Sequence, residues 1–373
     1  MTHERTIESP RIDRRTVVAG ALASTLLTIG RGEAFANESA TPSASPAGDL
    51  RLLPLPPSDL GAPTIAAPTA STADSAMTLA DATAPYTNDY GTDAAPGVFP
   101  RTIRSANGET TLESRPARIV CLELGSIDAL FTLGITPVGI VDPAPLPLTP
   151  ELDAFLADVP RIATWAEIDL EAVIAAKPDL IIADASREDP LGDIAPTITL
   201  FRANSGMVWR EVFAMVVLAL GDEAKGAAVV EKYEDAVRTL NAKLPDPRPS
   251  MSFIRVQAEN LRYMLRSNFA GRILTDLGIP RPTAQNVDDF ALMNMSLETL
   301  GEYADGDLIV VATDAGDPAK AYLDQMLASP IWQTLSAVKN DRVIQVDSAI
   351  WIGGVGYAGA HLVLDDIAKI LTA

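Results

Sequence analysis

The chain has 373 residues, 29 Lys and Arg against 49 Asp and Glu, and a formal net charge of −20. The length allows two modest domains or one large domain with extensions, and the acidity argues against a general nucleic-acid binder, which needs a basic face. One cysteine, Cys121, and two histidines, His3 and His361, exclude a disulfide framework, a Cys-cluster metal site and a centre of several imidazoles.

The N-terminus reads as an export signal over residues 1–36. Arg11, Arg14 and Arg15 precede an apolar run from Val17 to Ile29, and Ala34-Phe35-Ala36 supplies a small-x-small cleavage pattern. That run is too short for a membrane span, which takes about 20 residues. Arg14-Arg15 reads as a twin-arginine (Tat) signal, with an ordinary Sec signal as the alternative. No cysteine ends the run, so a lipid anchor is not supported. Residues 37–100 hold ten of the 28 prolines and no Lys, Trp or Cys. Without a sustained period of 2 or 3.6, this stretch reads as a disordered linker that cannot offset its chain entropy. Its apolar burst Leu50–Leu60 reads as solvated rather than docked.

From Arg118 the pattern becomes strand–helix–strand. Arg118–Leu122 is a β-branched strand, Ser126 takes an N-cap position, and the next helix stops at Gly134. Pro137–Val141 is a strand, Leu170–Ala176 a helix closed by Lys177-Pro178, and Asp179–Ala183 and Ile198–Phe201 are strands. Fully apolar strands in this rhythm predict a parallel sheet covered on both faces. Residues 207–244 lack proline and carry apolar residues at helical spacing, broken at Gly221-Asp222; Glu223–Leu244 is one long helix. Strands at Ser252–Val256, Asp307–Ala312 and Arg342–Val346 then alternate with helices at Phe269–Leu277, Ser296–Tyr303, Ile331–Val338 and Ala360–Leu371. The run Leu170-Glu171…Pro178-Asp179-Leu180 is echoed by Leu297-Glu298…Gly306-Asp307-Leu308. The fold class is therefore α/β: two α/β lobes joined by one long spanning helix, with a ligand cleft between them at the strand C-termini. The boundaries are an N-terminal lobe at 101–221, the helix at 222–245 and a C-terminal lobe at 246–373.

Five segments carry a resemblance: Arg115-Pro116-Ala117-Arg118-Ile119-Val120, Leu133–Gly139, Leu170–Ile182, Phe269–Leu274 and Ile331–Val343. In this order and spacing the chain resembles the solute-binding proteins of ATP-driven importers for iron–siderophores, haem and cobalamin. The resemblance covers about residues 115–371. It implies capture of a ferric siderophore outside the membrane, without covalent chemistry or an intrinsic cofactor. It also implies a soluble monomer that hands its ligand to an ABC permease with its ATPase. Cobalamin or haem are alternative ligands, an exported chelate-modifying enzyme is a second class, and a scavenger without a permease is a third. Glu171 and Glu298 fall where the family docks on permease arginines; both also suit a helix start opposing the macrodipole.

Candidate ligand residues are aromatic and arginine side chains on cleft loops. Trp165 lies at a position that faces ligand in the family, and Trp351 with Tyr357 lies after the last strand. Arg187 and Arg202 leave strands of the first lobe, and Arg255, Arg262, Tyr263 and Arg266 follow the first strand of the second. Arginine forks suit the oxygen-rich, often anionic surface of a ferric chelate, and indole offers a flat apolar face. Each arginine has a plainer reading as a surface ion pair, and Trp332 and Trp209 read as core. A haem ligand would look to Tyr263 or Tyr357. Gly354-Val355-Gly356-Tyr357-Ala358-Gly359 is a literal G-x-G-x-x-G, but no further strand and acid follow, so it reads as flexible backbone beside the ligand. Cys121 reads as a buried inert thiol, His361 as packed, and Asp365-Asp366 as a solvated face.

Overall fold

The computed structural model describes residues 51–52, 90–144, 146–184, 190–200 and 209–372. The export signal and most of the 37–100 linker lie outside the described residues, as do Arg187 and Arg202.

Ordered structure starts earlier than the sequence boundary at residue 101. After a two-residue strand β1 (Arg51–Leu52), a hairpin forms from β2 (Arg101–Ser105) and β3 (Gly108–Leu112). Arg101, fully buried, donates to Val98 O at 3.0 Å and Ala95 O at 2.9 Å, and pairs with Glu223 at 2.7 Å. A buried guanidinium needs most of its five donors satisfied, so residues 95–98 are drawn into the fold rather than left in the linker.

The first half then builds β4 (Ile119–Cys121), α1 (Leu124–Leu133), β5 (Gly139–Val141), α2 (Pro150–Phe155), β6 (Arg161–Ala163), α3 (Leu170–Ala176), β7 (Leu180–Ala183) and β8 (Thr197–Thr199). The sheet is entirely parallel, in the order β6-β5-β4-β7-β8. Its apolar strands are buried on both faces, as a helix-covered parallel sheet requires. The cap of α1 is Glu123, not Ser126: the carboxylate accepts the N–H groups of Gly125 and Ser126, each at 2.7 Å. A glutamate two residues past the strand reaches both orphan donors, and the helix starts three residues earlier than a Ser126 cap implies.

Two long helices follow, α4 (Trp209–Leu220) and α5 (Glu223–Asn241), parted at Gly221, whose φ of 67° suits glycine. At 1.5 Å per residue, α5 extends roughly 28 Å. Its helical bonding stops at Asn241, three residues before the end read from the prolines.

The second half comprises β9 (Met251–Val256), β10 (Leu261–Met264), α6 (Phe269–Asp276), β11 (Ala291–Met295), α7 (Leu300–Tyr303), β12 (Leu308–Thr313), α8 (Asp317–Ala328), α9 (Ser336–Lys339), β13 (Val343–Val346), α10 (Ser348–Trp351) and α11 (Tyr357–Thr372). The sheet order is β1-β13-β12-β9-β10-β11; the first four strands are parallel, and β10 and β11 antiparallel. The backbone of β1 pairs with β13, so part of the Leu50–Leu60 burst is docked on a sheet edge. Two helices read from the sequence are shorter. Residues 297–299 form a 3₁₀ turn before α7, and the 331–338 helix is split at Leu335, whose ψ of 142° is extended.

The internal echo has a structural content. Asp179, at the entry to β7, accepts the backbone N–H of Ala117 and Arg118 at 2.9 and 2.8 Å, just ahead of β4. Asp307, at the entry to β12, accepts Ser250 N–H at 2.8 Å, just ahead of β9. In both halves one aspartate fixes where two neighbouring parallel strands begin.

The C-terminal helix α11 packs on α5 and α6 and also on α1 of the first half. There the buried carboxylate of Asp128 accepts the N–H groups of Ala358 and Gly359, orphan donors of the first turn of α11. A Cβ on Gly356 would overlap Asp128 Oδ1, and one on Gly359 would overlap the carbonyl of Gly354. The G-x-G-x-x-G run is thus buried, close-packed backbone at the seam between the halves, not a flexible loop. Asp366 is buried as well, accepting from Trp351 Nε1 at 3.1 Å, which corrects its reading as part of a solvated face.

Candidate functional site

In an open parallel sheet, ligands bind outside the strand C-termini where the strand order reverses. In the first sheet that point lies between β4 and β7, and the residues leaving them are Glu123 and Asp184. In the second, the chain leaves β9 by a hairpin on one side and later reaches β12 on the other. The residues there are Arg255, Gln257 and Asp314. The two halves meet near these strand ends, where Pro147, after β5, lies against Gly353, after α10.

Arg255 and Arg262 are direct cross-strand partners in the β9–β10 hairpin and so share one face. Arg255, 9% exposed, makes a two-pronged ion pair with Asp314, Nε to Oδ1 at 2.7 Å and Nη2 to Oδ2 at 3.0 Å. Gln257 Nε2 donates to the same carboxylate at 3.0 Å. Arg262 has no carboxylate partner among the described residues, and its Nε is buried without an acceptor. Burial, and then the neighbouring Arg255 charge, lowers its pKa, against a smaller opposing effect of the Asp314 charge. Two guanidinium groups and one carboxylate leave this cluster one positive charge in excess. Arg266, half-buried two residues beyond β10, is tied to Val287 through its backbone at 3.1 Å.

Trp165 stands 47% exposed in the turn after β6, where Thr164 Oγ1 accepts from Ala166 and Glu167. The other three aromatic candidates are core residues. Tyr263 follows Arg262 on a strand and therefore points to the other face, where it is fully buried, hydrogen-bonded to Thr299 at 2.9 Å and stacked on Tyr303. Trp351 packs edge-on against Phe253. Tyr357 lies among Trp209, Phe213 and Tyr233. Trp351 and Tyr357 belong to the core that spans the seam, and Tyr263 to a second core within the C-terminal half. Trp332 and Trp209 are buried, as read from their apolar helix faces.

Glu123, Asp184, Gln257 and Asp314 were not singled out by sequence reasoning, although each is among the first residues after a buried parallel strand. Burial pushes the Glu123 carboxyl up to about 7, with a smaller contribution from Asp184. Both its oxygens hold α1 N–H groups, so it caps a helix rather than presenting a free base. Burial raises the Cys121 thiol to about 12, and burial lowers His361 to about 4. Glu171 and Glu298 are both exposed, at the first turn of α3 and in the 3₁₀ turn before α7. A hydrogen bond from Ser296 lowers the Glu298 carboxyl below its usual range.

Elsewhere, a cavity of about 240 Å³ flanks α5, lined by Arg210, Tyr233, Glu234, Arg238, Asp276 and Tyr357 among others. Arg210 already pairs with Asp276, which also accepts from Tyr233 Oη at 2.6 Å. Among the described residues, no group of three or more His, Cys, Asp or Glu is arranged to hold a metal ion. Nor is any described helix long and apolar enough to cross a membrane.

A family model described as periplasmic binding protein matches residues 119–350. The ferric-citrate-binding protein YfmC of Bacillus subtilis is 31% identical, over 76% of this chain and 89% of its own length. The ferric-dicitrate-binding periplasmic protein FecB of Escherichia coli is 30% identical, over 73% and 90%. The crystal structure of Staphylococcus aureus SirA complexed with staphyloferrin B superposes with a TM-score of 0.64 at 27% identity, covering 72% of this chain and 97% of that one.

Proposed function

We propose that this chain, which belongs to the periplasmic binding protein family, captures a ferric siderophore outside the cytoplasmic membrane and delivers it to an ABC importer. Members of the family are binding proteins. The observation that carries the ligand reading is the Arg255–Arg262 pair beside the strand-order reversal of the second sheet, with two guanidinium groups to one carboxylate and Arg262 in no ion pair among the described residues. A half-buried cation of this kind favours an oxygen-rich anionic ligand and forms strong bidentate bonds to carboxylate. That chemistry matches the relatives, whose names specify ferric citrate and ferric dicitrate, and the neighbour solved with staphyloferrin B. Iron is cargo held by its chelator, and the groups proposed to meet that chelator are guanidinium and indole. Haem is disfavoured, since Tyr263 and Tyr357 are in the core.

Binding without catalysis is the reading for the chemistry. The strand-end carboxylates Glu123 and Asp314 are committed to helix N–H groups and to Arg255. Export rests on the sequence of residues 1–36, and some relatives are named as periplasmic proteins or lipoproteins. Glu171 and Glu298, both exposed and on equivalent segments of the two halves, are the proposed contacts with permease arginines. Reversing both charges is expected to weaken capture of the protein by its reconstituted permease and leave chelate affinity unchanged; loss of chelate affinity would remove them from that role. The ligand is tested by quenching of tryptophan fluorescence with ferric citrate, ferric hydroxamates, haemin and cobalamin. Submicromolar quenching by ferric citrate or another ferric siderophore, lost in Arg262→Gln, is the expected result. Quenching by cobalamin or haemin alone would overturn it.

A further inference from the structure

The carboxylate of Asp314 occupies the fork of Arg255 in the geometry that a carboxylate group of a chelate would take: two parallel N–H···O bonds, 2.7 and 3.0 Å. It does so from a different strand, at the exit of β12, with Gln257 fixing one oxygen from the exit of β9. The backbone N–H of Asp314 bonds to Val256 O at 2.9 Å, so the carboxylate is held in register with the end of β9. Arg262, across the hairpin, receives no such group among the described residues.

We propose that Asp314 is a specificity-determining residue, an internal carboxylate that competes with anionic ligands for Arg255 and leaves Arg262, among the described residues, without a carboxylate in its own fork. This rests on the reading of the strand-end cleft as the chelate site. The argument is electrostatic. Two like charges directly opposite on a sheet repel, and Asp314 relieves that repulsion while the cleft is empty. An incoming carboxylate then gains a full charge-assisted fork only at Arg262, and must displace or share Asp314 to engage Arg255. The site therefore grades ligands by charge. A chelate with several anionic groups meets the fixed negative charge of Asp314 at the short range where Coulomb terms are large, and a neutral chelate does not.

Two single substitutions change the fixed charge in opposite directions with little change of shape, Asp314→Asn and Gln257→Glu. Each is compared with the wild type, after thermal melting confirms folding, by fluorescence titration with ferric citrate and with a neutral ferric trihydroxamate. For ferric citrate the expected order of affinity is Asp314→Asn above wild type above Gln257→Glu, with steps on the order of tenfold that shrink as salt is added. Any affinity for the trihydroxamate should be the same in all three. Weaker ferric citrate binding by Asp314→Asn would overturn the proposal, because Asp314 would then only hold Arg255 in place. Equal shifts for both chelates would overturn it too, as an effect of shape. If Asp314→Asn does not fold, Gln257→Glu must still weaken ferric citrate alone. A wild type that quenches with neither chelate, nor with any other ferric siderophore, overturns the functional reading itself, and a failure of the charge series in a protein that does bind overturns only this one.

Discussion

The two sheets share a plan and differ where it matters for a ligand. Each begins with a strand whose entry is fixed by an aspartate on its parallel neighbour, Asp179 in the first half and Asp307 in the second. Each has a strand-order reversal, between β4 and β7 in the first and between β9 and β12 in the second. At that point the all-parallel sheet presents carboxylates, Glu123 and Asp184, and the mixed sheet presents Arg255 and Arg262. The arginines arrive through the one feature the first sheet lacks, the antiparallel hairpin of β9 and β10. The repeated part is scaffold, and the departure from the repeat carries the positive charge. A hairpin can place two like side chains opposite each other on one face, which parallel crossovers do not do so directly.

The two halves meet at the seam around Gly356, where their relation rests on close packing. A methyl group there would overlap the buried carboxylate of Asp128. Gly356→Ala is expected to destabilise the protein by about 2–3 kcal/mol, in the range of overpacked cores. Gly192→Ala, in the first half with open space around it, should change stability by under about 0.5 kcal/mol. Urea melts of the two variants measure this. Equal, small effects would mean that the Asp128–α11 seam yields freely.

How much of this was legible in the sequence follows the same division. The parallel strands, the break at Gly221 and the long helix α5 could be read because apolar runs and prolines mark them locally. The repeat was visible because its aspartates do the same local job twice. Ser252–Val256 reads as a strand despite Arg255, but its hairpin partner β10 does not, since it is four residues long and Arg262 interrupts its apolar pattern. Naming Arg262 and Tyr263 together as cleft residues overlooked the period of 2, which sends neighbours to opposite faces. Asp314 belongs to the site through a contact across 59 residues of chain, which no local spacing records. The glycine run after β13 looked like a ligand loop because close backbone packing and ligand approach both call for glycine; only the neighbouring Asp128 tells them apart.

The smallest expected effect separates two carboxylate environments by pH, the buried helix-capping acids and the strand-entry aspartate. In the first half burial raises Asp128 to about 6 and Glu123 to about 7. In the second, the Ser250 hydrogen bonds lower Asp307. A carboxyl whose folded pKa is raised binds more protons folded than unfolded between about 4 and its folded value, so its contribution falls as pH rises through that window. For a lowered carboxyl the sign reverses, and its contribution is present above about 4 and lost as pH falls through the depressed value. Thermal melting from pH 3 to 8 should therefore peak near pH 5, with a decline of a few degrees toward pH 7.5. Asp128→Asn should flatten the neutral side by about 2 °C and leave the acid side unchanged, whereas Asp307→Ala should soften only the fall below pH 4. A variant that alters both limbs alike would show that the buried caps and the strand-entry aspartate do not act separately. Glu211, in α4 and raised to about 7 by burial, adds to the neutral limb in both variants, so neither substitution should abolish it.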